Sequence, residues 1–316
     1  MDSSELYHIK QQFTLGAYKS LVDLTLPDPN SPDYNPTLIY KARAYIALDK
    51  PSEALKLLPS ESENLALKAV SALAKYVEAE SAEQGGESIL EELRDLCVEI
   101  EGDDVEADDR EKGLVKVLAG TAFARAGEVE EALETLGAGT HTENLEAVSV
   151  IVQIYLSINR PDLATKEFNL AKRWAEDDIL LQLIESSIAL VTGKDAYSDP
   201  HSFYTEQLAN PSLSSPHLLT ARGVTRLLRG EVSAAKSDLE EATAQLGGAP
   251  DKETLAALTV ANGLGATKLA DAEQCWSQLK SQYPTFPLVK DIERKAAQFD
   301  DLASNFEVPP LAVASA

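Results

Sequence analysis

The stretch Gly120-Thr-Ala-Phe-Ala-Arg-Ala-Gly-Glu-Val-Glu-Glu-Ala-Leu-Glu-Thr-Leu136 decides how the rest of the chain is read. Small residues stand at Gly120 and Ala132, bulky apolar ones at Phe123 and Leu136, and Gly127 separates the two halves. This arrangement predicts a helix, a tight turn and a second helix packed back on the first. A small residue on each helix lets the backbones approach, and the large ones fill the space between them. Counted from Gly120, the pattern is small, aromatic at +3, turn at +7, small at +12, bulky at +16 and small at +19.

The same spacing recurs on both sides. From Ala42, Tyr45 is at +3, Ala54 at +12 and Leu58 at +16, with Lys50-Pro51-Ser52 as the turn and Pro51 suited to open the second helix. From Val152, Tyr155, Ala164, Phe168 and Ala171 fall on the +3, +12, +16 and +19 positions around Asn159-Arg-Pro-Asp. From Gly223 come Gly230, Ala235, Leu239 and Ala242; from Val260 come Ala272, Trp276, Leu279 and Pro284. Ile9, Gly16 and Leu21 keep the pattern loosely, and Pro27, Pro29, Pro32 and Pro36 then predict a loop, because proline denies a helix its donor. Steps between these segments include 33, 32 and 37 residues. The pattern resembles the tetratricopeptide repeat, a helical hairpin of roughly 34 residues that stacks on copies of itself.

Two segments are irregular. Ser62 to Ile100 carries two apolar stripes broken at Gly85-Gly86 and reads as two long helices out of register with the pattern. Asp178 to Val191 reads as a helix ending at Gly193, and its partner, Ala196 to Leu208, is expected to kink or loop at Pro200 before Phe203. Leu288 to Phe306 predicts a terminal helix with Ile292, Ala296, Phe299 and Leu302 on one stripe, as an array needs where its last apolar face has no neighbour. The expected fold is therefore all-α: a tetratricopeptide-like α-solenoid of about eight helical hairpins over residues 1–306, with a C-terminal capping helix and a flexible tail at 307–316.

Composition agrees with helices and excludes several functions. Hydrophobic residues make up 44% of the 316, enough for a packed core, and aromatics only 6%. The net charge of −24 repels phosphates and anionic headgroups, so neither nucleic acid nor direct membrane insertion is expected. There is no run of about 18 apolar residues, and the acidic start Met1-Asp2-Ser3-Ser4-Glu5 lacks a signal core, which points to the cytoplasm. Cys97 and Cys275 lie in apolar helical patterns and are expected as buried free thiols.

The chain offers no active site and no cofactor site. His8, His141, His201 and His217 have no second ligand at metal spacing, and read as surface or turn histidines, His217 at a helix start. The acidic run 101–109 lacks the glycine and glutamate of a calcium loop; its last acids instead suit the start of the next helix. Gly263-Leu-Gly265 follows a helix and lacks the lysine of a phosphate loop. Trp174 and Trp276 sit at core spacing. What remains is surface. The first helices of successive hairpins line the inside of a curved array. By the spacing, the inward positions are Phe13, Arg43, Ile46, Thr121, Gln153, Leu156, Val224 and Leu227. Two readings of these stand side by side: a groove that takes a protein segment, or a hairpin core read one residue out of register.

Taken in order, the segments resemble the coatomer epsilon subunit family over nearly the whole length. The resemblance rests on Leu6-Tyr-His-Ile-Lys and Phe13-Thr-Leu-Gly-Ala-Tyr18, on Tyr40-Lys-Ala-Arg-Ala-Tyr-Ile-Ala47, and on Val152-Gln-Ile-Tyr-Leu156 with Arg160-Pro-Asp-Leu-Ala-Thr-Lys-Glu167. Ser277-Gln-Leu-Lys280 and Phe299-Asp-Asp-Leu302 extend it to the C-terminal part. It implies a non-catalytic structural subunit of the COPI vesicle coat that binds the C-terminal region of the coatomer alpha subunit, and other coatomer subunits through it. It also implies a place on Golgi and vesicle membranes through the coat, in Golgi-to-ER retrograde transport. The acidic run at 101–109 and the break at Asp199-Pro200 depart from the family pattern. The alternative is a tetratricopeptide co-chaperone or other adaptor for peptide segments. That clamp needs several converging cations, and Arg43 is the one inward candidate.

Overall fold

A computed structural model describes residues 3–102, 108–140, 142–264 and 269–306. All of its regular structure is helical among the described residues. The helices pair in chain order. The first four pairs are α1 (Ser4–Thr14) with α2 (Tyr18–Asp23), α3 (Tyr34–Ala47) with α4 (Pro51–Leu57), α5 (Leu65–Ser81) with α6 (Glu87–Glu99), and α7 (Asp109–Ala126) with α8 (Val129–Leu136). The next four are α9 (Leu145–Ser157) with α10 (Pro161–Ala171), α11 (Ile179–Thr192) with α12 (Ser198–Leu208), α13 (Pro216–Leu228) with α14 (Val232–Gln245), and α15 (Lys252–Gly263) with α16 (Leu269–Gln282). The helix α17 (Pro287–Ser304) follows.

Local chemistry explains where the helices begin. Ser3, Asn64, Asp108, Asn144, Asp178, Ser215 and Asp251 each accept a hydrogen bond from a backbone N–H in the first turn of α1, α5, α7, α9, α11, α13 and α15. These are all first helices of hairpins. The last acids of the acidic run serve the helix start as expected, Asp108 capping α7 and Asp109 opening it; residues 103–107 of that run lie outside the described residues. Second helices use a different device. Pro51 and Pro161 open α4 and α10, where the missing N–H has no partner to lose.

At the described +7 positions the turn has one conformation. Gly16, Asp49, Gly127, Asn159 and Gly230 all adopt positive φ, from 56° to 85°. Glycine enters this region without a Cβ clash, and Asp and Asn are the side chains that tolerate it best. The close approach at the head of the pattern is equally literal. A Cβ on Gly120 would stand 2.5 Å from Leu136 Cγ, and one on Gly223 would stand 3.0 Å from Leu239. Small at the start and bulky at +16 is thus one packing contact, repeated.

Two expectations about proline are corrected. Pro36 lies in the first turn of α3 and Pro200 in the first turn of α12, so neither breaks its helix. The first turn has no intrahelical acceptor for its N–H groups, which makes proline harmless there. The irregularity near Pro200 falls earlier, in the 3-10 turn Lys194–Tyr197, where Asp195, Ala196 and Tyr197 all take positive φ. The two long helices of the third hairpin are as read, α5 and α6. Arg94 of α6 ties that hairpin to the next through Glu128 and Glu131, at 2.8 and 2.7 Å, and stacks over the Phe123 ring.

The main core runs continuously from Leu38 of α3 to Ile154 of α9. The last cluster joins Leu255, Ala256, Leu279 and Val289, with Trp276 packed against it as expected. Trp174 departs from expectation: it lies past the end of α10 and is exposed, beside Leu170 and Arg173 at the mouth of a cavity of about 180 Å³. Cys97 and Cys275 are free and half-buried, and burial pushes the Cys97 thiol up to about 11. The helix α17 packs through Val289 in its first turn, while Ile292, Phe299 and Leu302 further along face solvent.

Candidate functional site

The inner face is decided by curvature, which brings distant hairpins together. Arg43 of α3 reaches Glu146 of α9, Nη2 to Oε2 at 2.7 Å, across 103 residues of sequence. The Tyr40 hydroxyl donates to the other oxygen of Glu146 at 2.9 Å. The Arg43 guanidinium lies over the Phe13 ring of α1 at 4.4 Å and beside Tyr40 at 5.3 Å. Phe13 in turn meets Tyr40 and Tyr18, with ring centres at 5.3 and 5.6 Å. The Arg43 side chain is 11% exposed, and its Nη1 has no acceptor among the described residues. Burial alone would raise the Glu146 pKa, but the charge and hydrogen bond of Arg43, with Tyr40, hold it below the usual carboxylate value.

A second group of contacts joins the first hairpin to the later ones. Leu15, one residue past α1, is 1% exposed among Phe203 and Tyr204 of α12, Leu213, and Leu218 of α13. The Ser215 hydroxyl donates to the Leu15 carbonyl at 2.8 Å, although the two are 200 residues apart. Gln12 Nε2 donates to the Ser212 carbonyl at 3.4 Å. His217 packs against Gly16 so closely that a Cβ there would stand 2.7 Å from its ring. It also lies near the Tyr18 ring, at 6.4 Å, and pairs with Glu253 of α15 at 3.2 Å. Lys252 reaches Asp49, in the turn between α3 and α4, at 2.8 Å. The array therefore closes on itself, with its first two hairpins against its sixth to eighth.

The eight inward positions fall into three groups. Phe13 and Arg43 meet directly in the closed interior. Ile46, Leu156, Val224 and Leu227 are half-buried against the hairpin cores. Thr121 is half-buried as well, and Gln153 is exposed. Thr121 donates its hydroxyl to the Val117 carbonyl one turn back. Gln153 is exposed on α9 and lies seven residues, or two turns, beyond Glu146 on the same face. The spacing did not find Leu15, Tyr18, Tyr40, Glu146, His217 or Glu253 as interior residues. No local signal marks them, because each gains its role from a partner in a different hairpin.

His217 was expected at a helix start and is there, but it is a contact between hairpins. Burial would lower its pKa; the hydrogen bond and charge of Glu253, with Asp251, outweigh that and hold it above the ordinary 6.5. His201 lies within α12 rather than in a turn, and burial and the Arg229, Arg226 and Arg222 charges lower its pKa. His8 is half-buried on α1, and His141 lies outside the described residues. Among the described residues, no group of three or more His, Cys, Asp or Glu is placed to hold a metal ion. No described helix is long and apolar enough to cross a membrane.

Repeated hairpins with a shared turn and a shared small-to-large contact define an α-solenoid of the tetratricopeptide class. Solved structures agree on the fold. A tetratricopeptide repeat protein from Parabacteroides merdae aligns with a TM-score of 0.54 at 14% identity, over 80% of this chain and 95% of that one. The APC/C hetero-tetramer Cut9-Hcn1 also aligns, with a TM-score of 0.54 at 13% identity, over 89% of this chain and 52% of that one. Within that class, residues 2–307 match the family model of the coatomer epsilon subunit, and the chain belongs to this family. It is 28% identical to the probable coatomer subunit epsilon of Schizosaccharomyces pombe over 96% of both chains. To coatomer subunit epsilon-1 of Arabidopsis thaliana it is 28% identical over 96% of this chain and 94% of that one; for the Caenorhabditis elegans subunit the figures are 25%, 96% and 99%. Family membership makes the chain a component of the COPI coat that associates with other coatomer subunits.

Proposed function

We propose that the chain is a non-catalytic structural subunit of the COPI coat whose inner face binds the C-terminal region of the coatomer alpha subunit. In this reading it serves Golgi-to-ER retrograde transport, in the cytoplasm and on Golgi and vesicle membranes through the coat. The observation that carries the reading is the family match over residues 2–307, which spans every hairpin of the curved array. The exposed part of the inner face, at Gln153 on α9, is where the segment first makes contact. The co-chaperone reading loses its one named cation, since Arg43 is already held by Glu146.

The test is gel filtration of the purified chain with the alpha C-terminal region. Co-elution is expected for the wild type. Gln153→Arg, which places bulk and charge at an exposed position, is expected to weaken the complex at least tenfold while helical circular dichroism is unchanged. Absence of co-elution for the wild type removes the alpha subunit as partner; full binding by the variant moves the contact to another face.

A further inference from the structure

The interior is occupied by the chain's own side chains. Phe13, Tyr40, Arg43 and Glu146 fill it from three hairpins, and Leu15 is buried on α12 and α13. A partner segment that enters must displace some of these contacts. The interfaces between successive hairpins are continuous apolar cores, from Leu38 to Ile154 in the largest. The contact between the first hairpin and the later ones is of another kind. It has one deeply buried apolar anchor, Leu15, with the Ser215 hydroxyl on its carbonyl, Gln12 on the Ser212 carbonyl and His217 against Gly16; beside it, Lys252 of α15 reaches Asp49 of the second hairpin. The Gln12 and Lys252 links are solvent-accessible, where hydrogen bonds and ion pairs add little net stability because water replaces them. With one apolar anchor, this contact opens with a smaller loss than the large apolar core that joins the second to the fifth hairpin. Interfaces of low local stability are where proteins part and re-form.

We propose that this seam is a gate: the first hairpin swings away from α11, α12 and α13 to admit the partner segment sideways into the interior, and closes behind it. The inference rests on the proposed binding of the alpha C-terminal region for its purpose, and on the seam contacts alone for its mechanics.

Both parts are tested with one protein, Gln12→Cys with Ser212→Cys in a background of Cys97→Ser and Cys275→Ser. The two new thiols are bridged across the seam by a short bis-maleimide, or capped separately by a mono-maleimide. In the free protein, bridging is expected to slow amide exchange at least tenfold in α1, α2 and the start of α13, and to leave α5–α9 unchanged. Equal exchange in bridged and capped forms overturns the gate, whatever the partner. With the alpha C-terminal region, the capped form is expected to bind as wild type and the bridged form at least tenfold more slowly. Equal association rates overturn the gate as the route of entry. If neither wild type nor capped protein binds, the partner assignment falls, and the exchange comparison alone decides whether the seam opens.

Discussion

The contact between Gly120 and Leu136 and the contact between Leu15 and Ser215 hold the same molecule together in opposite ways. The first joins two helices of one hairpin, through a residue with no side chain and a leucine sixteen positions on. It repeats at Gly223 and Leu239. The second joins hairpins 200 residues apart, occurs once, and depends on a hydroxyl meeting a carbonyl. The first kind makes the array; the second kind decides whether the array stays closed. Stability and partner access are therefore set at different places, and substitutions should separate them.

The largest effect is expected at the hairpin contact. Gly120→Val forces two methyl groups and a Cβ into space already held by Leu136, and overpacking of this kind costs about 3 kcal/mol. Thermal melting followed by circular dichroism should show a lower midpoint for the whole chain. An unchanged midpoint would mean that the close approach is not needed.

An intermediate effect is expected in the interior. Arg43→Ala leaves Glu146 partly buried and without its cation, a loss of about 2 kcal/mol after allowing for the exposure of Glu146. The double variant with Glu146→Ala should be no less stable than Arg43→Ala in urea unfolding, because the stranded charge is gone. Simple addition of two independent losses would show that the two residues are not coupled.

The smallest effect is expected at the seam, and it depends on pH. His217 faces Tyr18 of α2, Glu253 of α15 and the Asp251 cap, and its folded pKa is raised. A raised folded pKa means that its contribution is complete below about pH 6.5 and is lost as pH rises through the folded value. Both partners are nearly half exposed, so the contribution is under about 1 kcal/mol. After correction for intrinsic rates, amide exchange in α1 and the start of α13 should be slower at pH 6 than at pH 8. His217→Gln should abolish that difference, and a difference that survives would assign the pH response to another group.

The expectations that held and those that failed divide along the same line. The turn at +7 was legible because a left-handed residue ends the first helix at Gly16, Asp49, Gly127, Asn159 and Gly230, and these are the residue types that accept it. Pro51 and Pro161 were legible as helix starts for an equally local reason. Pro36 and Pro200 were misread because proline is tolerated at the third position of a helix as well, and the spacing did not say where the helix began. Trp174 was placed in the core by periodicity, but its helix ends at Ala171, before the period reaches it. Among the inward positions, Ile46, Leu156, Val224 and Leu227 are half-buried, and a half-buried apolar residue satisfies both a groove and a hairpin core.

By itself, the sequence determined the repeating hairpin, the turn between its helices and the order of the array, since each depends on residues within about 20 positions of one another. It also carried the family, through segments that keep their order along the chain. Only the tertiary structure decided that the array closes and that its interior is filled. Closure is the sum of small rotations between successive hairpins, and no single residue encodes that sum. The contacts it creates, Arg43 with Glu146 and Leu15 with Ser215, have no fixed spacing for a sequence pattern to reveal.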